Sequence, residues 1–404
     1  MSTGRFDAAT GDVPAADQLV QRAADLVPML IEQQAACEAA GRVSDETVDA
    51  FARAGFFRIL QPARWGGYEM SPLVFYRVLQ QLGRGCPSSA WVTMVIGVHQ
   101  WEFASLDPKA AQDVWGQDNT VLTSSSYAAL PTGTARRTEG GYLLNGFWQF
   151  SSGCDHCRWA FVGGLVEGTG GSGQPPEYRV FLVPRGDYEI DSASWDVFGL
   201  RGTGSKNLVM QKDVFVPQYR THVPLAQVES EVAHRRPRNY RTPFGPTFSL
   251  ALASAVAGIA RGAYEAFLEQ MRPRKAAFSG AAATLSPFVQ QRTAQADAKI
   301  RGAVQRIDAA FHALDAYAQR AEPIPLELRA QTVWDAGFAG QECQEAVMTL
   351  FRGAGARAVF NAHRLQRHLR DILAGTNHIT MQTDALGWNA GALQLGYENM
   401  SPLL

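Results

Sequence analysis

The spacing of apolar residues changes twice along this chain of 404 residues, and the two changes constrain its fold more than any single motif does. As far as Asp118, apolar residues recur every three or four positions, which predicts helices. Short runs rich in β-branched and aromatic residues then predict strands. Helical spacing returns from about Gly245. We therefore predict an α+β multidomain protein with an N-terminal helical domain (1–118), a central β-barrel (119–225) and a C-terminal four-helix bundle (226–404).

Composition and charge exclude several classes of function. The formal net charge is -1 and the basic residues form no long run, so nucleic acid is not an expected partner. No apolar stretch reaches the roughly eighteen residues of a membrane span, and the N-terminus lacks the basic-then-apolar order of a secretory signal. The 5 cysteines are an odd number, which favours free thiols over a disulfide framework. We expect a cytoplasmic protein whose partners are small and largely apolar.

Residues 140–164 form the most informative segment of the predicted barrel. The pattern predicts a strand over 142–144, a turn at Asn145-Gly146, a second strand over 147–150 and a bend over 151–153. The bend offers two hydroxyls and backbone amides between aromatic residues, which suits a flat, partly polar ring. The alternative is an ordinary meander with aromatic core residues. The flanking aromatic residues are Phe147, Trp148, Phe150, Trp159 and Phe161.

Two histidines are candidates for chemistry. His99 follows the apolar run 90–98, and the spacing of four between Trp91, Val95 and His99 places them along one helix face. His378 follows a helix break and is placed to project into a cleft. Either histidine can instead be structural, as a hydrogen-bonded core residue or a helix cap.

Two other motifs are weaker. The glycines at 168, 170 and 173 match G-x-G-x-x-G, but a strand and not a helix follows, so we predict a loop. Cys154 and Cys157 have the spacing of half a metal site, yet no second ligand pair follows. We therefore predict no metal.

The order of the domains, together with three motifs, resembles the acyl-CoA dehydrogenase fold. The motifs are the strand and bend 146–153, GLRGTGS at 199–205 followed by DVFVP, and RDILAGTNH at 370–378. Dehydrogenases of that fold typically carry a glutamate just before the Gly-Thr of the last motif, as the base that removes a proton α to a thioester. This chain has Ala374 there, which disfavours α,β-dehydrogenation.

A closer resemblance is to the oxygenase components of two-component flavin-dependent monooxygenases. It rests on LQPARWGG, VIGVHQW, SSSY, NGFWQFSSGCDH and VFGLRGTGS, which occur in this order. The resemblance implies a homotetramer that receives reduced flavin from a separate NAD(P)H:flavin reductase. The flavin, usually FMN with FAD as the alternative, reacts with O2 to give a C4a-hydroperoxide, which hydroxylates a phenolic substrate, polycyclic ones included.

The resemblance also assigns roles to residues. His99 and Ser125 would hold the phenol, and His99 would help to remove its proton. His378 would lie beside the peroxide. Ser151 or Ser152 would hydrogen-bond to the edge of the flavin ring, and Trp91 would pack against that ring. Tyr127 and Phe150 would line the substrate site. A neighbouring subunit's flavin phosphate would meet the segment that contains Arg272, Arg274, Lys275 and Phe278.

Three alternatives stay open at this point. The first is a flavin-dependent N-hydroxylase of an amino substrate, which would need a more polar pocket. The second is an acyl-CoA dehydrogenase-like oxidoreductase, and the third is a non-catalytic scaffold in which both histidines are structural.

Overall fold

The computed structural model of the protein describes residues 13–128, 133–171, 176–224, 236–277, 279–399 and 401. Helices come first, a sheet follows, and helices return, so the predicted order of the three parts is confirmed. The boundaries near 118 and 225 stay predictions, and residues 225–235 lie outside the described residues. The N-terminal helices are α1 (Ala16–Asp25), α2 (Val27–Ala40), α3 (Asp45–Ala54), α4 (Pro72–Gly85), α5 (Pro87–Glu102) and α6 (Pro108–Trp115).

Local sequence signals account for the ends of several N-terminal helices. Ser44 caps α3, since its hydroxyl accepts a hydrogen bond from the Thr47 N–H at 3.2 Å, and Gly55 ends that helix with a φ of 88°. Ser71 caps α4 in the same way, and Pro72 occupies its first helical position. Helix α5 is buried along its whole length, as its uniformly apolar sequence predicts.

The central part is one eight-stranded sheet among the described residues. Its strands are β1 (Thr123–Ser126), β2 (Thr134–Thr138), β3 (Gly141–Ser151), β4 (Trp159–Val166), β5 (Tyr178–Pro184), β6 (Glu189–Asp191), β7 (Lys206–Pro217) and β8 (Thr221–His222). Their order is β6-β7-β3-β2-β4-β5-β8, and β1 pairs in parallel with β4. The predicted barrel is not closed, because the described pairings leave β6 and β8 at opposite ends of this path. The loop with the G-x-G-x-x-G glycines leads from β4 to β5, and its residues 172–175 lie outside the described residues.

The predicted turn at Asn145-Gly146 is wrong. Both residues lie inside the continuous strand β3, where the pairing with β7 shifts register between Leu144 and Gly146. Gly146 adopts a φ of 141°, so the residue pair forms a β-bulge instead of a turn. The amide of Asn145 donates to the Asp213 carboxylate on β7 at 2.5 Å, which holds it within the sheet. The actual turn precedes β3 and contains Gly140, whose φ is 74°.

The C-terminal helices are α7 (Phe244–Met271), α8 (Pro287–Arg320), α9 (Leu326–Ala354), α10 (Arg364–Thr376) and α11 (Thr383–Gln394). Helix α7 packs on α4, α9 and α10, and it approaches α4 closely at Gly83 and Gly258. A methyl group at either glycine would lie within 3.0 Å of backbone atoms of the other helix. A helical C-terminal domain is thus confirmed, whereas its arrangement as a four-helix bundle stays a prediction. Helix α11 was not predicted.

One helix in the described part of the chain, Phe244–Met271, is long and apolar enough to cross a membrane by length and composition. However, 83% of its most apolar window is buried inside the protein. Its apolar surface is therefore covered by neighbouring helices, as in the core of a globular domain.

Candidate active site

His99 lies in the last turn of α5 with its side chain fully buried. Its Nδ1 is 2.7 Å from Oε2 of Glu102, the residue three positions later on the same helix face. Because an ionised carboxylate only accepts hydrogen bonds, Nδ1 carries the imidazole proton. Nε2 has no hydrogen-bond partner within the described residues, although it is buried. A buried acceptor without a partner indicates that a ligand is meant to supply the donor.

Glu102 is the centre of a buried hydrogen-bond cluster. His222 on β8 donates from Nε2 to Oε1 of Glu102 at 2.7 Å, and the Tyr127 hydroxyl donates to Oε2. Burial alone would raise the pKa of Glu102, but the hydrogen bonds from His222 and His99 outweigh burial and lower this pKa to about 2. The carboxylate therefore keeps its negative charge at neutral pH.

Aromatic rings surround His99 on the sides that the cluster leaves open. Phe244 stacks on the imidazole at 6.0 Å between ring centres, Phe161 lies at 5.7 Å and Phe248 at 6.5 Å. Tyr127 meets the imidazole edge-on at 5.5 Å. These rings come from α7, β4 and the end of β1, so the sheet and the C-terminal helices both wall the site. Such walls suit an aromatic ligand and keep water away.

His378 lies at the other end of the same aromatic row. Its ring is 5.7 Å from Phe248 and 6.0 Å from Trp91, and Trp91 projects from α5 two turns before His99. Burial lowers the pKa of His378 to about 4, so its imidazole is neutral at pH 7. The Thr380 backbone N–H donates to Nδ1 at 3.3 Å, which leaves the proton on Nε2. His378 is thus a neutral hydrogen-bond donor through Nε2.

The serine bend at 151–153 is present, and both of its hydroxyls are hydrogen-bonded within the protein. Ser151 donates to the Ser124 hydroxyl at 3.1 Å, and the hydroxyls of Ser152 and Ser205 are 2.7 Å apart. Ser205 in turn lies 2.7 Å from the Thr203 hydroxyl. The bend is therefore tied to the segment 199–205, and Gly153 turns the chain with a φ of 70°.

Helix α10 anchors the segment 199–205 through hydrogen bonds. The Leu200 backbone N–H donates to Asp371 at 2.6 Å, and Arg370 donates to the Phe198 carbonyl at 2.6 Å. Leu200 itself has a φ of 53°, a conformation that non-glycine residues rarely adopt. Burial raises the pKa of Asp371 to about 7, despite the opposing hydrogen bond from Leu200. Two of the motifs that carried the resemblance thus contact each other directly.

The structure places the other predicted residues of the sheet in different surroundings. Phe150 is 57% exposed and packs on Trp195, because a register shift between Trp148 and Ser151 interrupts the alternation of β3. Trp148 is buried in the core of the sheet, where its Nε1 donates to the Gly163 carbonyl at 2.6 Å. Ser125 pairs across the β1–β4 ladder with Phe161, one of the rings around His99.

The segment predicted to meet a flavin phosphate follows α7. Arg274 donates to the carbonyl of Ala354 at the end of α9, so its guanidinium is engaged within the chain. Lys275 and Arg272 are exposed, and Phe278 lies outside the described residues. The thiols of Cys154 and Cys157 are buried, and burial raises the pKa of Cys154 to about 12.

Sequence reasoning missed the partners of His99. The i, i+3 spacing of His99 and Glu102 was available as a signal, since it places both on one helix face. His222 lies 120 positions from Glu102 along the chain, and no local pattern links the two residues. Phe244 and Phe248 begin α7 with helical spacing that indicates burial but not what they contact.

Comparison with known proteins agrees with this architecture. A family model described as the N-terminal domain of acyl-CoA dehydrogenase matches residues 14–106, and one described as the C-terminal domain matches residues 250–383. A solved structure described as 3-HSA hydroxylase from Rhodococcus sp. RHA1 superposes with a TM-score of 0.89 at 36% sequence identity. The match covers 96% of this chain and 99% of that one.

Two curated relatives are similar over most of their length. The flavin-dependent monooxygenase oxygenase subunit HsaA from Rhodococcus jostii (strain RHA1) is 39% identical over 366 residues, which cover 89% of this chain and 93% of the relative. The oxygenase component of p-hydroxyphenylacetate 3-hydroxylase from Acinetobacter baumannii is 28% identical over 400 residues, which cover 97% of this chain and 92% of that protein.

Proposed function

Because this chain belongs to the oxygenase components of the flavin-dependent monooxygenases, which have the acyl-CoA dehydrogenase fold, we propose that it hydroxylates a phenol and that His99 takes the phenol proton. As a member of that family it is an oxidoreductase that uses reduced flavin, and its substrate is aromatic. The observation that carries the finer proposal is the buried Nε2 of His99, which lies among aromatic rings and has no hydrogen-bond partner in the described part of the chain.

A phenol hydroxyl placed against His99 satisfies this nitrogen. The phenol donates to Nε2, and transfer of its proton gives a phenolate, which is a stronger nucleophile toward electrophilic oxygen. Glu102 stabilises the positive charge that His99 then carries. Ser125 supports the phenol oxygen from the side of Phe161, and Tyr127 forms one wall of the site.

Reduced flavin, when bound, would supply activated oxygen derived from O2. The residues that would hold it are Ser151 or Ser152 of the bend 151–153, as hydrogen-bond partners of the ring edge, and Trp91, whose indole would pack against the ring. His378 has an Nε2–H donor beside Trp91, so it would hydrogen-bond a developing oxygen anion while remaining neutral. Exposed Lys275 is the cation we propose for the flavin phosphate, since Arg274 already bonds to Ala354.

The relatives' names support a phenolic substrate. One relative is named for the 3-hydroxylation of p-hydroxyphenylacetate, which is itself a phenol. The aromatic walls of Phe161, Phe244 and Phe248 favour a substrate with a large apolar face, polycyclic ones included. They disfavour a polar amino substrate. Ala374 likewise disfavours dehydrogenation of a thioester, because no base occupies that position.

We further propose a homotetramer in the cytoplasm that receives reduced FMN from a separate reductase. Eight large apolar side chains among the described residues of the C-terminal region are at least 60% exposed in the single chain, and another subunit would cover them. They are Leu285, Phe288, Val359, Phe360, Ile379, Trp388, Leu395 and Tyr397. All five cysteines are free and buried, which agrees with a reducing compartment. A fully active monomer in analytical ultracentrifugation would contradict the tetramer.

One experiment tests the proposed reaction. The protein is mixed under anaerobic conditions with reduced FMN, and then with oxygenated buffer, with and without a panel of phenols. We expect flavin reoxidation to be slower than for free FMN, and a phenol to be converted to a catechol that carries one oxygen atom from labelled O2. Reoxidation at the rate of free FMN with no labelled product would refute the proposal.

A further inference from the structure

We propose that Glu102 and His222 are positioning residues that hold His99 in the one tautomer able to accept a proton from substrate. The inference rests on the proposed phenol hydroxylation for its purpose, and on the hydrogen bonds of the three side chains for its geometry. His99, Glu102 and His222 lie on two separate parts of the fold, since α5 contributes the first two and β8 the third.

The tautomer of His99 depends on the charge of Glu102. An ionised carboxylate at Oε2 requires a proton on Nδ1 and leaves the lone pair of Nε2 directed into the aromatic site. If the carboxylate were neutral or absent, the proton could move to Nε2 and the imidazole would no longer accept one from a phenol. Glu102 is fully buried, so only its hydrogen-bond donors keep it charged.

His222 donates a hydrogen bond to the carboxylate oxygen of Glu102 that His99 and Tyr127 do not contact. Nδ1 of His99 and the Tyr127 hydroxyl both approach Oε2, whereas Nε2 of His222 alone approaches Oε1 among the contacts described. A carboxylate with both oxygens occupied is stabilised as the anion and does not take the proton itself. In the reaction, the phenol O–H bond breaks, its electron pair stays on oxygen and the proton moves to Nε2 of His99. Glu102 remains ionised throughout.

Other titratable groups face this cluster and contribute to its pH dependence. Tyr127 contacts both Glu102 and His99, and burial raises its pKa well above the usual value. Tyr178 on β5 donates to the Tyr127 carbonyl at 2.8 Å, and burial raises the pKa of Tyr178 as well. His378 lies across Phe248 from His99.

The first test is nuclear magnetic resonance of flavin-free protein labelled with nitrogen-15 histidine. We expect His99 with its proton on Nδ1 and His222 with its proton on Nε2. In Glu102→Leu, no acceptor remains at the position of the carboxylate, and the Tyr127 hydroxyl 3.3 Å from Nδ1 of His99 can donate to that nitrogen, so the proton should move to Nε2. His368 is the internal reference, because its Nδ1 bonds to the Arg364 carbonyl and should not change. A wild-type His99 protonated on Nε2, or a Glu102→Leu signal like wild type, would overturn the proposal.

The second test is the pH profile of hydroxylation. Glu102→Gln should hydroxylate about a hundred- to ten-thousandfold more slowly at neutral pH and recover where the phenol ionises by itself. His222→Leu, which removes the donor to Oε1, should lose activity in the same pH-dependent way, and His222→Gln, which keeps an N–H, should regain part of it. An equal loss at every pH would indicate a merely structural role and contradict the inference. If the wild-type protein hydroxylates no phenol at all, the proposed function is refuted. The tautomer measurement would still test whether Glu102 and His222 position His99.

Discussion

The Asp371 carboxylate accepts a hydrogen bond from the Leu200 backbone N–H at 2.6 Å, and this contact joins helix α10 to the segment that holds the serine bend. From Leu200 the chain of contacts continues through its carbonyl to the Thr203 hydroxyl at 2.8 Å, and from there through Ser205 to Ser152. Through this chain of hydrogen bonds, Asp371 holds in place the hydroxyls that we propose for the flavin ring edge.

Removing the Asp371 acceptor should weaken flavin binding. Asp371→Ala leaves the Leu200 N–H buried without a partner, and a lost buried hydrogen bond of this kind costs about 1–3 kcal/mol. We expect the Kd for FMN, measured by fluorescence titration, to rise by about tenfold. Asp371→Asn is the matched control, because its amide oxygen can still accept from Leu200. An unchanged Kd in Asp371→Ala would mean that this contact does not position the bend.

The raised pKa of Asp371 predicts a specific dependence of stability on pH. Its pKa is about 7 in the folded protein, against an ordinary value of 3.8, so between these two the folded state holds a proton that the unfolded state has lost. The free energy of unfolding should therefore fall as pH rises from about 4 to about 7, by at most about 1.4 kcal/mol per unit from this group. Chemical denaturation of wild type and Asp371→Asn at several pH values measures the difference. Parallel curves would refute the prediction.

His99→Ala and His378→Ala should fail at different steps. Without His99, flavin reoxidation should stay slow while product forms slowly, with partial recovery at high pH where the phenol ionises by itself. Without His378, the activated oxygen loses a hydrogen-bond donor, so more hydrogen peroxide should be released per NADH that the reductase consumes. Each loss is expected to be about a hundred- to ten-thousandfold in the affected step. Measuring product, hydrogen peroxide and NADH together distinguishes the two variants. If both variants form as much product per NADH as wild type does, the two histidines have structural roles only.

Substitutions at Arg274 and at Lys275 should have different effects, one on thermal stability and the other on cofactor binding. Arg274→Ala removes the hydrogen bond to the Ala354 carbonyl, so it should lower the Tm. Lys275 is exposed, and Lys275→Ala should leave the Tm unchanged but weaken binding of FMN, whose phosphate it is proposed to meet. Riboflavin, which lacks the phosphate, is the control ligand, and its affinity should not respond to Lys275→Ala. A drop in riboflavin affinity equal to that for FMN would argue against this assignment.

Elements with local causes are predictable from the amino-acid sequence alone. The caps at Ser44 and Ser71, the helix ends at Gly55 and Thr376, and the buried helix that carries Trp91 and His99 all follow from hydrogen bonds and periodicity within a few residues. The strands at 159–166 and 178–184 also have a local cause, because both are short runs rich in β-branched and aromatic residues.

The contacts between these elements, in contrast, depend on tertiary packing. Asn145-Gly146 has the chemistry of a turn, yet pairing of β3 with β7 on both sides makes it a bulge. Glu102 meets His222 from 120 positions away, and Leu200 meets Asp371 from 171 positions away. A local pattern cannot contain such contacts, because they form only when packing of the sheet against the helices brings distant segments together. The orientation of the His99 imidazole, set by Glu102 and surrounded by Phe161, Phe244 and Phe248, also depends on such packing.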